Sequence, residues 1–257
     1  MSSYVELLQN LEKLKLTKIA EYYPRYLDEH VAKDLSLTEA LKELTEKELA
    51  FREERASAIG MKKSRFPYHK GLRDFDFAYQ PSISKAQIQD FATLRFLETA
   101  DNILFIGSSG VGKTHLATAI GIEASRRGIG TYFIHFNDLI AKLKKAYAEN
   151  RQDRIIRQYA RYKLLIIDEI GYLPVEKEYS HFFFQLIAGR YERRSTIITT
   201  NQPLSKWGEV FGDSTIAGAI IDRLVHHASI VKITGRSYRI KDKFPSEEAE
   251  SSDRPRG

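Results

Sequence analysis

The run Gly107-Ser108-Ser109-Gly110-Val111-Gly112-Lys113-Thr114 follows an apolar segment, Asn102 to Ile106 (NILFI), and precedes a stretch with helical spacing at Leu116, Ala119, Ile120 and Ala124. A short buried strand ending in a glycine-rich turn that opens a helix is the feature that most restricts what this chain can become. Glycines at 107, 110 and 112 let the backbone turn tightly and aim successive N–H groups inward. Such a nest wraps the α- and β-phosphates of a nucleotide, Lys113 reaches the β- and γ-phosphates, and the Thr114 hydroxyl takes one place on Mg²⁺. The helix opening there adds its positive dipole end. The expected nucleotide-binding set is therefore Gly107, Ser108, Ser109, Gly110, Val111, Gly112, Lys113 and Thr114, with His115 next to it.

A chain of 257 residues with 42% hydrophobic content fits one good-sized domain and an appendage. No run approaches the roughly 18 to 20 apolar residues of a membrane span, and the amphipathic start MSSYVELLQNLEKLKL is not a secretory signal, so a cytoplasmic protein is expected. The absence of cysteine excludes disulfides and thiolate metal sites, and the seven histidines show no ligand spacing. His226 and His227, being adjacent, read as surface or core residues.

The net charge of +6 is unevenly spread. Residues 1–60 carry nine basic against twelve acidic side chains, whereas residues 61–75 hold five basic residues against Asp74 and residues 141–163 hold eight against Glu149 and Asp153. A polyanionic partner is favoured by this pattern.

The first 60 residues predict a small helical domain of two or three helices, one through Val5, Leu8, Leu11 and Leu14, another opening at Ser36-Leu37-Thr38-Glu39 as a capping box. Residues 61–81, with interleaved aromatics, read as an ordered connector. From 82 to 241 helices alternate with apolar strands at 102–106, 131–136, 164–168, 195–199 and 229–233, after a first helix at 84–98. Five such strands predict an α/β fold, a parallel sheet covered by helices on both faces. Ligands in such sheets bind beyond the carboxyl ends of the strands. The polar tail 242–257 is expected to be disordered.

Leu164 to Ile167 leads into Asp168 and Glu169, a strand expected to run beside the phosphate-loop strand. Asp168 suits the Mg²⁺ shell and Glu169 the polarising of an attacking water. Asn201, closing the fourth strand, either orients that water or starts the turn into Gln202-Pro203. Arg223, in the helix before the last strand, serves either as a finger entering a neighbouring subunit's site or as a surface partner of Asp222.

In this order GSSGVGKT, LLIIDE, the TTN strand end and the IDRL helix resemble the AAA+ ATPases. The loop followed by HLATAIGIEA, the IIDEIGYLP run and RDFDFAYQPSISKAQIQDFATLRFLETADNILFIG ahead of the loop resemble more closely the IstB helper ATPases of the IS21 insertion sequences, across nearly the whole chain. The resemblance implies a lidless AAA+ fold, with Lys113 and Thr114 as Walker A, Asp168 and Glu169 as Walker B, Asn201 as first sensor, Arg223 as arginine finger, and Arg239 as second sensor with Arg236 as the alternative register. Only 24 residues follow the last expected strand, too few for a helical lid. Relatives of the initiator type carry a DNA-facing helix where the basic stretch falls, so Lys142, Lys144, Lys145, Arg151, Arg154, Arg157 and Arg161 become candidate phosphate contacts, with Lys62, Lys63 and Arg65 as a second patch. A merely solvated helix face is the competing reading. The function implied is ATP hydrolysis with Mg²⁺ by an oligomer on duplex DNA that assists a transposase, in target DNA selection or delivery. A helicase loader of the DnaC type, gripping single-stranded DNA and a helicase, is the near alternative, and a small-molecule P-loop kinase a distant one.

Overall fold

A computed structural model describes residues 2–30 and 36–240. The tail 242–257 lies outside the described residues. Two units divide the chain, Met1–Ile59 and Gly60–Gly257.

The first unit holds α1 (Ser3–Lys13), α2 (Thr17–His30) and the greater part of α3 (Leu37–Ser64). The capping box expected at Ser36 forms: Glu39 N–H donates to Ser36 Oγ at 3.3 Å and Ser36 N–H to the Glu39 carboxylate at 3.0 Å. Ile19, Tyr26 and Leu44 make a small buried core. Beside it the buried Glu48 carboxylate accepts the N–H groups of Lys18 and Ile19, in the first turn of α2, and the Arg52 guanidinium. An anion there satisfies orphan donors and complements the helix dipole.

In the second unit the elements run α4 (Lys85–Thr93), β1 (Asn102–Gly107), α5 (Lys113–Arg126), β2 (Thr131–His135), α6 (Phe136–Ala148), α7 (Gln152–Ala160), β3 (Leu164–Ile170), α8 (Lys177–Arg190), β4 (Ser195–Thr200), α9 (Trp207–Phe211), α10 (Ser214–Val225) and β5 (Ala228–Ile233). All five expected strands form, and the basic stretch becomes two helices, parted at Asn150 by a left-handed backbone of φ +53°. The helix expected over 84–98 stops at Thr93, where Leu94 turns left-handed at φ +69° before a 3-10 turn. The apolar spacing concealed this break because Leu94 and Leu97 are both buried on either side of it.

The sheet is wholly parallel, in the order β2-β3-β4-β1-β5. Contrary to the sequence expectation, β3 does not run beside β1, since β4 lies between them and pairs with both. Strands β1, β3 and β4 are all largely buried, β4 with its threonines included, so burial alone does not reveal which strand neighbours which. Ile103, Phe105, Leu164, Ile166 and Ile197 pack with α4 and α5 on one face. Leu104, Leu165, Ile167 and Ile198 pack with helices α6 to α10 on the other, where Trp207 is fully buried. Beyond β5 the described residues add a short 3-10 turn, Tyr238–Ile240, and no lid domain. This is the parallel sheet covered by helices on both faces that the sequence predicts, and among the described residues no helix is long and apolar enough to cross a membrane.

Arg190, the last residue of α8, is 1% exposed and has no carboxylate partner. Its guanidinium donates instead to the carbonyls of Tyr159, Ala160, Tyr162 and Ser195 and to Thr196 Oγ1. Burial pulls its pKa down to about 9 and the neighbouring Arg194 charge adds to the effect. The end of α7 and the starts of β3 and β4 are thus clamped by one fork of donors. Arg190→Met should destabilise the protein by about 3 kcal/mol or more, because several buried carbonyls lose their donor. The check is a lower urea midpoint with an unchanged denaturant slope.

Candidate nucleotide site

The phosphate loop links β1 to α5 at the carboxyl end of the sheet. Gly112 has φ +99°, and a Cβ there would stand 2.6 Å from the Phe75 ring; Gly110 has φ +79°, with Ser237 against it. Both positions therefore demand glycine for conformation and for space. Tyr238 N–H donates to Gly110 O at 2.9 Å, fastening the segment after β5 to the loop. His115 turns toward the connector, its Nε2 2.9 Å from Gly71 O and its ring edge-on to Phe75.

A cavity of about 420 Å³ opens over this loop. Ser109 to His115, Glu169, Asn201 and Arg239 line it, joined by Phe75, Gln80 and Tyr172. Lys113 Nζ donates to Gly107 O and Ser108 O at 2.8 and 2.7 Å, so the ammonium is held within the loop. Burial lowers its pKa, and the charges of Asp168 and Glu169 work against that.

Asp168 is fully buried beneath the loop. Its Oδ1 accepts hydrogen bonds from Thr114 Oγ1 at 2.9 Å and from Thr199 Oγ1 at 2.5 Å. Burial pushes the carboxyl pKa up, against the pull of those two hydroxyls and of the His135 ring. The ladder between β3 and β4 shifts register between Ile167 and Ile170, and within this bulge Glu169 adopts φ +65°. Neighbouring strand residues ordinarily face opposite sides of a sheet, and a bulge re-aims one of them. Here it leaves Asp168 buried and Glu169 exposed toward the cavity. The left-handed backbone costs about 1 kcal/mol or more, and the Thr199 hydroxyl supports it by accepting Glu169 N–H at 2.9 Å.

The donors suit Mg²⁺, a hard cation that prefers oxygen ligands. Asp168 Oδ2 is buried and receives no hydrogen bond, although His135 Nδ1 stands 3.3 Å away. That free oxygen, next to the Thr114 hydroxyl, is what a divalent ion requires.

Two contributors escaped the sequence reading. Thr199 lay within the TTN run but only Asn201 was assigned a part, and His135 was set aside with the other histidines for want of ligand spacing. Folding brings His135 to Asp168 through the pairing of β2 with β3. Both residues end strands at the carboxyl edge, the one signal that could have found them.

Arg223 is not among the residues lining the cavity. It lies along α10, donating to Ala219 O at 3.0 Å with its guanidinium 4.8 Å from the Phe184 ring centroid. Arg236 meets the site through its backbone, where its carbonyl accepts from Gln80 Nε2, whereas Arg239 lines the cavity. The basic candidates separate into two groups. Lys142 donates to Tyr159 OH at 3.1 Å, Lys144 pairs with Glu176 at 2.7 Å, and Arg151 pairs with Glu149. Lys62, Lys63, Arg65, Lys145, Arg154, Arg157 and Arg161 are exposed, with no ion pair among the described residues.

Residues 9–246 match the model of the IstB-like ATP binding protein family. The chain is 51% identical over 246 residues to an ATP-binding protein of insertion sequence IS232 from Bacillus thuringiensis subsp. berliner, covering 96% of this chain and 98% of that protein. It is 40% identical over 233 residues to the ATP-binding protein of insertion sequence IS21 from Pseudomonas aeruginosa, covering 91% and 88%. Among solved structures, the DnaC helicase loader shares the fold with a TM-score of 0.51 at 24% identity, over 71% of this chain and 99% of that one. With the phosphate loop, the buried aspartate and the matched length all in agreement, the chain belongs to the family of IstB-like ATP-binding proteins of IS21-type insertion sequences.

Proposed function

We propose that this protein is a Mg²⁺-dependent AAA+ ATPase that assembles on duplex DNA with ATP bound and assists the transposase of its element in selecting or receiving target DNA. The observation that carries the reading is the convergence of Thr114, Asp168 and Thr199 on one carboxylate oxygen, with Glu169 aimed into the same cavity.

Thr114 and Asp168 would hold Mg²⁺, which when bound neutralises phosphate charge. Lys113 leaves its carbonyl acceptors to meet the phosphates, an exchange of partners rather than a desolvation. Glu169, exposed at the cavity, polarises the attacking water, and Asn201 orients it from the end of β4. Arg239 contributes positive charge from the segment after β5. Arg223 has no route to the cavity of its own chain, which supports its acting on a second copy, so that hydrolysis requires oligomerisation. Contacts to DNA come from the exposed basic residues. The named relatives are proteins of insertion sequences, which supports a transposase as partner. The protein would work in the cytoplasm, where DNA and transposase meet. Single-strand preference with capture of a helicase would favour the loader reading instead.

Lys113→Ala should lose ATP binding by about a hundredfold or more, since the one mobile cation of the loop is gone. Equilibrium binding of a fluorescent ATP analogue measures this, and ATP-dependent duplex binding should vanish with it. Glu169→Gln should keep ATP affinity while turnover falls by about 10² to 10⁴, leaving the protein lodged on DNA; phosphate release beside duplex binding reads both. Arg223→Ala should bind ATP yet hydrolyse it about 10³-fold more slowly. Mixing it with Glu169→Gln subunits should restore turnover, because some interfaces then combine an intact Glu169 with an intact Arg223. Failure of that rescue would place the finger elsewhere.

A further inference from the structure

The sheet has a second end. Gly130 precedes β2, Arg161 and Tyr162 precede β3, and Arg193 and Arg194 precede β4. In a parallel sheet with β2, β3 and β4 as successive neighbours, these positions lie along one edge, opposite the nucleotide cavity. Arg154, Arg157 and Arg161 recur at helical spacing and share a concavity with Gly130 and Tyr162. Arg157 and Arg161 also line an adjoining concavity with Arg193 and Arg194. Arg65 belongs to the same edge: the Oγ of the preceding residue, Ser64, donates to the carbonyl of Thr131, the first residue of β2, at 2.9 Å, and the Arg65 charge opposes the upward push of burial on the Tyr159 and Tyr162 phenols.

All six arginines are exposed and none is in an ion pair among the described residues. Nearby acids do not neutralise them. Glu192 is turned to His227, 3.5 Å away, and α7 carries only Asp153. Beneath them Arg190, itself without a carboxylate, clamps the end of α7 to the start of β4. Collecting like charges around a buried cation works against folding. The arrangement therefore suits a polyanion that the chain itself does not provide.

We infer that Arg65, Arg154, Arg157, Arg161, Arg193 and Arg194 form one phosphate-contact face for the backbone of a DNA duplex, at the amino-terminal edge of the sheet. Arg193 and Arg194, far in sequence from the basic helices, are part of it, and Lys142 and Lys144 of α6 are peripheral because their ammonium groups are already engaged. The inference rests on the DNA-binding reading above and assigns its surface.

The test is anisotropy of a labelled duplex with ATP over a salt series, using the full chain. Each phosphate contact contributes about 0.9 to the slope of log affinity against log salt. Arg193→Ala/Arg194→Ala should retain ATP binding, weaken duplex binding about tenfold or more at moderate salt and lower the slope by about 2. Arg193→Lys/Arg194→Lys should keep most of the slope. Lys142→Ala/Lys144→Ala should lower it by less than the arginine pair does. An unchanged slope in the double alanine variant overturns the face, and so does an affinity loss without a slope change, which indicates distortion alone. Tighter binding to a single strand of equal length than to the duplex overturns the duplex assignment. No duplex binding by the wild-type protein would instead remove the DNA reading itself.

Discussion

One carboxylate oxygen organises the nucleotide-site end of this molecule. Asp168 Oδ1 receives a hydroxyl from the first turn of α5 and another from near the end of β4, while the residue itself stands in the second half of β3. Three segments distant in sequence are therefore fixed to a common, buried point. The interposition of β4 between β1 and β3 makes this possible, because Thr199 then reaches both Asp168 and the Glu169 backbone. A sheet with β3 directly beside β1 would leave the strained Glu169 peptide without that support.

The parallel sheet gives the molecule two chemically different ends. At the carboxyl ends the chain presents loop amides, one lysine and paired acids, suited to a small anion with its metal. The amino ends present arginines from α7 and from the turns that lead into the strands. Both ends are joined by the same buried strands, whose alternate residues serve two separate cores. Close packing of this kind moves strands as rigid units rather than bending them.

Much of this was readable from the residues. The strands are short segments with an Ile-, Leu- or aromatic-rich middle, and the phosphate loop carries its fold context on both sides. The Ser36–Glu39 box marked a helix start to the residue because its chemistry is local. What escaped is non-local. Strand order follows from crossovers, and no residue within a strand names its neighbour. His135 and Asp168 meet only through register. Lys142 and Lys144 looked like free cations until the fold supplied Tyr159 and Glu176. Arg190 carries no signal in the sequence, since nothing local reveals that the ends of three other elements surround it.

Trp207 is the only tryptophan in the chain. It lies fully buried against Phe211, and its indole N–H finds no acceptor. Its helix, α9, is tied by a hydrogen bond from Val175 N–H to Val210 O, at 2.7 Å, to the loop that leaves the acidic strand end. The protein thus contains a single tryptophan fluorophore, buried among apolar side chains on the helix that holds the loop after Glu169 and Tyr172. Its emission wavelength reports whether that loop stays seated, without any label being attached.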